Sequence, residues 1–354
     1  MATKPLRYSQ QSIDESDIAA VVKVLRSDWL TCGPAVEAFE AALCAYTGAK
    51  YAVAVSSGTA ALHLAYMVVK DRGERQITTS PLSFVATANA ALLAGLQVEF
   101  QDVEESTGNV DLPYSLTSVA VPVHFAGRAA RIPGESIVIE DGCHALGAMD
   151  FDGCARVGSC AHSLACVFSF HPVKPICTGE GGAVTTNDQG FADEVRRLRS
   201  HGRDENGCMV ALGLNYRMTD IQAALGTSQL ERCDEMRERR VQLAERYNDE
   251  LHTLDWARSR PAHASGSWHL YPVRIKNGKR DAVKAALNAQ GIGAQIHYPC
   301  IHLQPYYRER FGYHQDMFPE AEAWAAEELS LPLHAKMTEA DVARVVDALR
   351  KALA

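Results

Sequence analysis

Lys174 stands in a setting that could turn a side-chain amine into a positioned nucleophile. A β-prone run, Ala165 to Phe170, leads into it, and prolines at 172 and 175 flank it. A glycine hinge, Gly179-Glu-Gly-Gly182, then feeds a second β-prone run, Ala183 to Thr186. Two short strands joined by a tight loop would hold the amine in one place, and the glycines would let another group approach closely. An amine held in this way can condense with an aldehyde. A surface lysine in a hairpin is the competing reading, and the rest of the chain decides between them.

Two further stretches carry chemistry that complements an amine. Ile137-Val-Ile-Glu-Asp141 is an apolar run closing on an acidic pair, and ligands bind beyond the carboxyl ends of strands in open α/β sheets. A carboxylate there keeps a pyridine nitrogen protonated and makes the ring an electron sink; the same pair also suits a helix cap. His144 is either a core histidine or a contact for an oxygen on that ring. Tyr51 to Val55, followed by Ser56-Ser-Gly-Thr-Ala-Ala61 and a helical pattern, puts free backbone N–H groups at a helix start. Such a turn favours a phosphate, although simple caps use the same residues. A nucleoside-triphosphate loop is not supported, because the Gly-x-x-x-x-Gly-Lys pattern is missing; a smaller phosphate ester fits better. Phe84, ahead of an alanine-rich helix, either offers an aromatic face to a ligand or fills the core.

These residues need a sheet to carry them. Short apolar runs at 77–79, 98–100, 119–123 and 136–140 alternate with helical patterns, predicting an α/β fold whose sheet is largely parallel with helices on both faces. Ser12, with Glu15 three residues on, is the expected N-cap of a first helix. Thr219 or Asp220 is expected to cap another, and a long polar helix runs on to Leu251. The pattern weakens from Asp255 to Gly266, where a domain junction is expected. Beyond it come a strand at Trp268–Ile275, a helix at Asp281–Gln290, a loop and strand at Gly291–His297 and a terminal helix at Val342–Leu349. The expectation is a large domain, residues 1–250, and a smaller α+β domain, residues 251–354.

Composition excludes several classes. The 354 residues are 47% hydrophobic with a formal net charge of −8 and no Lys/Arg-rich block, so nucleic acid is an unexpected partner. The N-terminus lacks the apolar stretch of a signal peptide, and no apolar run would span a bilayer. The 10 cysteines include no Cys-x-x-Cys pair and read as reduced, mostly buried thiols, with no metal site and a cytoplasmic location expected.

Taken together, the chain resembles the DegT/DnrJ/EryC1/StrS sugar-nucleotide aminotransferases, a branch of the fold-type I pyridoxal-phosphate enzymes. The motifs that carry the resemblance are Ser56-Ser-Gly-Thr-Ala-Ala-Leu-His63, Phe84-Val-Ala-Thr-Ala-Asn89, Pro122-Val-His-Phe-Ala-Gly127, Glu140-Asp-Gly-Cys-His144, Ser169-Phe-His-Pro-Val-Lys174, Gly179-Glu-Gly-Gly182 and Asn215-Tyr-Arg-Met-Thr-Asp220. The resemblance implies that Lys174 bonds covalently to pyridoxal 5′-phosphate, Asp141 pairs with the pyridinium nitrogen, Phe84 stacks on the ring and His144 contacts the ring oxygen. It further implies that Thr59, Ala60 and Ser169 hold the phosphate. Asn215 would reach the phosphate from a neighbouring subunit, which makes the active unit at least a homodimer, with Arg217 near the substrate.

Within the family, Ser169–Ile176 and the string His297-Tyr-Pro-Cys-Ile-His-Leu-Gln-Pro-Tyr-Tyr307 look most like the branch serving pseudaminic acid synthesis, so His297 and Tyr298 are expected at the substrate. That branch moves an amino group from L-glutamate, releasing 2-oxoglutarate, to C4 of a UDP-4-keto-6-deoxy-N-acetylhexosamine. Another nucleotide-linked keto sugar is the alternative within the family. A sugar 3-dehydratase would carry histidine in place of Lys174, and a regulatory protein that binds the cofactor without turnover would have no need of both Lys174 and Asp141. The chain departs from the family in a shortened link from Val69 to Ile77, in lacking an outer helix between Gly127 and Ile137, and in Gly142-Cys143 standing where two alanines are usual.

Overall fold

The first strand sets the logic of the core. In Tyr51–Val55 (β1), Val53 and Val55 face one apolar cluster, while Ala52 and Ala54 face another. Side chains alternate across a strand, so a run that is apolar at every position is a strand covered on both faces. The computed structural model describes residues 5–252 and 265–353. In chain order, β1 is preceded by helices Glu15–Leu25 (α1) and Pro34–Thr47 (α2) and followed by Gly58–Asp71 (α3). Then come Gln76–Thr79 (β2), Ala86–Ala94 (α4), Gln97–Phe100 (β3), Val119–Val121 (β4) and Ile139–Asp141 (β5). Ala165–Ser169 (β6) and Gly182–Thr186 (β7) bracket the lysine loop, and helices Gln189–Arg199 (α5), Asp220–Glu231 (α6) and Cys233–Leu251 (α7) follow. The last part holds Tyr271–Arg274 (β8), Arg280–Ala289 (α8), Pro305–Phe311 (α9), Pro319–Glu327 (α10), Glu328–Leu331 (β9) and Glu339–Leu353 (α11).

The strands pair in the orders β1-β7-β6-β5 and β3-β2-β4, and parallel bridges at Ala120–Val138 and Val123–Asp141 join the two sets side by side. Within these two sets, apart from β7, which runs against β1 and β6, neighbouring strands are parallel, as the alternating pattern predicts; β8 and β9 form a separate antiparallel pair. One face packs on α3, α4 and α5 through Val53, Val167 and Val184; the other packs on α2 and α6 through Ala54, Phe168 and Ala183. A second core joins β8, β9, α8 and α11 to the end of α7 (Leu243, Tyr247, Leu251) and to Leu6 near the N-terminus. Its residues come from both sides of residue 250. The expected junction at 255–266 lies almost wholly outside the described residues.

Several local expectations need correction. Ser12 does not cap α1: the Asp14 carboxylate accepts from the N–H groups of Ser16 (2.9 Å) and Asp17 (3.1 Å), and Asp17 returns the bond to the Asp14 N–H. A carboxylate next to the helix start outcompetes a hydroxyl two residues earlier, and Ser12 instead gives its carbonyl to Gln229 and Arg232. Thr219 does cap α6, in a reciprocal box with Gln222. Asp220 is buried and turned toward the start of α2, where it accepts from the Gly33 and Ala35 N–H groups at 2.7 and 3.0 Å. Residues 291–297 form isolated bridges (Ile292 to Leu6, Gln295 to Ser330) in place of a continuous strand. The expected gap between Gly127 and Ile137 is present: a 3-10 turn at Phe125–Gly127 is followed by non-helical chain up to β5.

Candidate active site

β1, β5 and β6 all run toward one edge of the sheet, and β7 starts from it. The turn after β1, the last residue of β5, the loop after β6 and the first residue of β7 therefore meet there without long connections. The side chains gather around a cavity of about 400 Å³.

The turn after β1 is built to approach its neighbours. Ser57 caps α3, accepting the Ala60 N–H on its Oγ at 3.1 Å, and the Ser57 carbonyl takes the Ala61 N–H. The N–H groups of Gly58 and Thr59, at the positive end of the helix, are left for a ligand. A Cβ on Gly58 would come within 2.8 Å of Ser169 Cβ, and one on Gly182 within 2.5 Å of the Ser57 carbonyl carbon and oxygen. Both positions accept glycine alone without a shift of backbone or strand.

The loop between β6 and β7 is longer than a tight turn: after the last ladder pair, Ser169 with Gly182, it runs through residues 170–181. It is closed at its base by Phe170 N–H to Gly181 O (2.8 Å) and Thr178 N–H to Phe170 O (2.9 Å), and anchored by buried Phe170, Ile176 and Cys177. Lys174 lies at its top, and its amine makes no hydrogen bond among the described residues while lining the cavity. Burial lowers its pKa below the ordinary lysine range, against the opposing pull of Cys143 and Asp141. The result is an amine held in place, unpaired and readier to lose its proton than one in water.

Asp141 closes β5, buried, with Thr87 Oγ1 donating to Oδ2 at 2.8 Å and the Cys143 N–H to Oδ1 at 3.2 Å. The carboxylate is thus fixed in orientation and is not a helix cap. Its neighbour Glu140 points the other way. It takes a bond from Ser163 Oγ and lies 2.8 Å from His124 Nε2. His124 Nδ1 accepts the Ala130 N–H, so Nε2 carries the ring proton and the imidazole is neutral. The Pro122–Gly127 motif is therefore a brace: it docks the end of β5 beside β4, with the Asp141 N–H on the Pro122 carbonyl and the His124 N–H on the Asp141 carbonyl.

His144 is buried, with Nε2 at 3.0 Å from the Tyr298 hydroxyl and its ring 4.3 Å from that of His269. Burial, then the charge of Lys174, drives its pKa well below the usual histidine range, so the ring is neutral. Its Nδ1 is buried without a partner among the described residues, and a buried nitrogen of this kind needs one. Phe84 is exposed at the cavity rim, its ring 6.0 Å from that of Tyr298. His297 and Tyr298 also line the cavity.

Of the residues singled out in the sequence, Thr59, Phe84, Asp141, His144, Ser169, Lys174, His297 and Tyr298 line this cavity. Ala60 is buried behind the turn with its N–H taken by Ser57. Asn215 and Arg217 lie outside the cavity: their segment bridges to Ser200 and Val55, and Tyr216 O accepts the Ser56 N–H at 2.8 Å. Neither side chain has a hydrogen-bond partner among the described residues, and Asn215 is exposed. Sequence reasoning passed over Thr87, although it sits one helical turn after Phe84, and Cys143, although it stands between Asp141 and His144; it also missed Tyr8 and His269, which long-range packing alone brings to the site.

The donor set fits pyridoxal phosphate: two open amides at a helix start for the phosphate, a buried carboxylate, an unpartnered imidazole nitrogen and an unpaired amine. The sequence model of the DegT/DnrJ/EryC1/StrS aminotransferase family matches residues 11–350. The chain belongs to this family. It is 38% identical to the UDP-4-amino-4,6-dideoxy-N-acetyl-β-L-altrosamine transaminase of Campylobacter jejuni, over 97% of this chain and 96% of that one. Helicobacter pylori PseC, an aminotransferase of pseudaminic acid biosynthesis, superposes with a TM-score of 0.91 at 32% identity, covering 99% of each chain. The PLP form of a sugar aminotransferase from Streptococcus pneumoniae superposes with a TM-score of 0.89 at 25% identity, covering 98% of each. The protein is a pyridoxal-phosphate-dependent sugar aminotransferase that works on nucleotide sugars, with the fold-type I architecture. Among the described residues, no helix is long and apolar enough to cross a membrane and no cluster is fit to hold a metal.

Proposed function

We propose that this aminotransferase moves an amino group from L-glutamate to C4 of a UDP-4-keto-6-deoxy-N-acetylhexosamine, working as a homodimer in the cytoplasm. The observation that carries the reading is the unpaired Lys174 amine facing the same cavity as the fixed carboxylate of Asp141. The substrate follows the names of the Campylobacter and Helicobacter relatives. When bound, the cofactor supplies a protonated ring that draws in the electron pair released on proton removal. Lys174 binds it covalently at rest, then removes the proton from Cα of glutamate and later delivers one to C4 of the sugar. Asp141 holds the ring nitrogen protonated, Phe84 covers the ring face and His144 offers Nδ1 to the ring oxygen. Gly58 and Thr59, through their amides, and Ser169 seat the phosphate, with Ala60 supporting the turn. His297 and Tyr298 face the sugar. Asn215 and Arg217 serve the site of the other subunit, one at the phosphate and one at the substrate.

Glutamate added to the purified holoenzyme should bleach the cofactor's visible absorbance, and the correct keto sugar should restore it. A panel of UDP- and dTDP-linked 4-keto-6-deoxy sugars reads the specificity. Restoration by a dTDP sugar and not by the UDP-N-acetylhexosamine would overturn the substrate assignment while leaving the reaction class intact.

A further inference from the structure

Behind the sugar-facing wall lies a buried carboxylate that no catalytic step above employs. Glu328, the first residue of β9, is sealed from solvent and forms no ion pair among the described residues. Its Oε2 accepts the His297 N–H at 2.6 Å, and its Oε1 lies 2.5 Å from the Ser330 hydroxyl. Ser330 Oγ is in turn 2.9 Å from His297 Nδ1. Nδ1 is engaged, and Nε2 has no partner among the described residues and is not sealed off, so Nε2 is the atom that His297 presents to the cavity.

A hydroxyl has one proton, so this chain of groups has two arrangements. With Glu328 ionised, Ser330 must donate to it. The serine oxygen then accepts Nδ1–H, and Nε2 shows a bare lone pair to the cavity. With Glu328 protonated, the carboxyl donates to Ser330, Ser330 donates to Nδ1, and Nε2 carries the hydrogen. The two states differ by one proton. A proton taken up at Nε2 pushes Nδ1–H to Ser330 and the serine proton to Glu328, with no charge left on the imidazole; the reverse sequence returns it.

We propose that Glu328, acting through Ser330, selects the tautomer that His297 shows to the substrate and stores the proton that His297 exchanges with it. The proposal rests on the reading that the keto sugar occupies this cavity. Burial pushes the Glu328 carboxyl up to about 8, so it changes state within reach of neutral pH. Burial, then Lys174, holds His297 down at about 3, which keeps the ring neutral in both states. The charged and titratable groups facing the relay are Arg280 on α8, whose guanidinium binds the Glu328 carbonyl; Arg274 on β8, paired with Glu327; Tyr298; Tyr8, its ring 5.4 Å from His297; Lys174; and the imidazoles of His144 and His269, both pushed well below the usual histidine range by burial. Glu328 and Ser330 are positioning residues, since neither lines the cavity.

The test uses holoenzyme labelled with ¹⁵N-histidine, the His297 signals being assigned by loss in His297→Gln. In the wild type the ring should pass from Nε2–H to Nδ1–H as pH rises through about 8. Glu328→Gln must keep its oxygen on the His297 N–H, so its amide donates to Ser330 and His297 should stay Nε2–H at every pH. Ser330→Ala should abolish the pH-dependent change. In kinetics, Glu328→Gln should slow restoration of absorbance by keto sugar about tenfold or more, with a smaller effect on bleaching by glutamate. The same His297 tautomer in wild type and Glu328→Gln across the pH range would overturn the proposal. Should Glu328→Gln fail to fold, a switch that survives in Ser330→Ala would overturn it equally. The spectra need no substrate. A tautomer switch in an enzyme that aminates no sugar would therefore uphold the relay and sink only the substrate reading.

Discussion

An amine attacks only after shedding its proton, and a pyridine ring withdraws electrons best when it keeps one. Lys174 and Asp141 meet these opposite demands on the wall of one cavity. Burial lowers the lysine's pKa, so it exposes a free electron pair more often at neutral pH than a surface lysine does. Two donors, Thr87 and the Cys143 amide, hold the carboxylate in a single pose. We predict that Lys174→Ala gives a folded protein without turnover, because no other amine lines the cavity among the described residues. Asp141→Asn should bind the cofactor more weakly and lose at least about a hundredfold in kcat, the scale expected when a positioned acid–base group is removed; single-turnover absorbance measurements would read both, and an unchanged kcat would remove Asp141 from the mechanism. At this scale the sequence was legible where a residue type sat at a strand end or between prolines. It was silent on Tyr8 and His269, whose place depends on packing between segments hundreds of residues apart.

At the scale of elements, the site exists because three parallel strands end at the same edge and two glycines let their loops touch. Gly182 is the sharper case, since a methyl there would sit 2.5 Å from the backbone carbonyl of Ser57. Gly182→Ala should shift the Ser57–Thr59 turn, cost about 1–3 kcal/mol of stability and weaken cofactor binding, as read by thermal unfolding and by titration of the apoenzyme. Wild-type cofactor affinity in Gly182→Ala would mean that the turn is not held where the phosphate needs it. Strands such as β1 and β6 were readable because both faces are buried, which leaves an unbroken apolar run. The cap of α1 was misread because Ser12 and Asp14 both satisfy the local rule, and the tertiary pull of Gln229 and Arg232 on Ser12 decides between them. The short link before β2 and the missing helix after Gly127 were visible as chain length alone.

For the whole molecule, the question is what completes the cavity. Its walls come from the N-terminal segment at Tyr8, from the sheet edge and from His269, His297 and Tyr298 beside the second core. Asn215 and Arg217 stay outside it, with side chains unpartnered among the described residues, although backbone bridges fix their segment firmly. If these residues serve the partner's site, Lys174→Ala subunits mixed with Asn215→Ala/Arg217→Ala subunits should regain up to about half the activity per mixed dimer, one site being intact and the other doubly damaged. No recovery after confirmed subunit exchange would assign them to their own chain. The fold class was open to sequence reasoning, because alternation of period two and period 3.6 survives in local composition. Assembly was not, because an exposed asparagine looks the same whether or not a second subunit covers it. The most direct test of the account is the fate of the nitrogen itself. With ¹⁵N-glutamate and UDP-4-keto-6-deoxy-N-acetylhexosamine, the product should carry ¹⁵N on C4 of the sugar, one label for each 2-oxoglutarate released. Sugar left unlabelled while 2-oxoglutarate accumulates, or amination only with another donor, would contradict it.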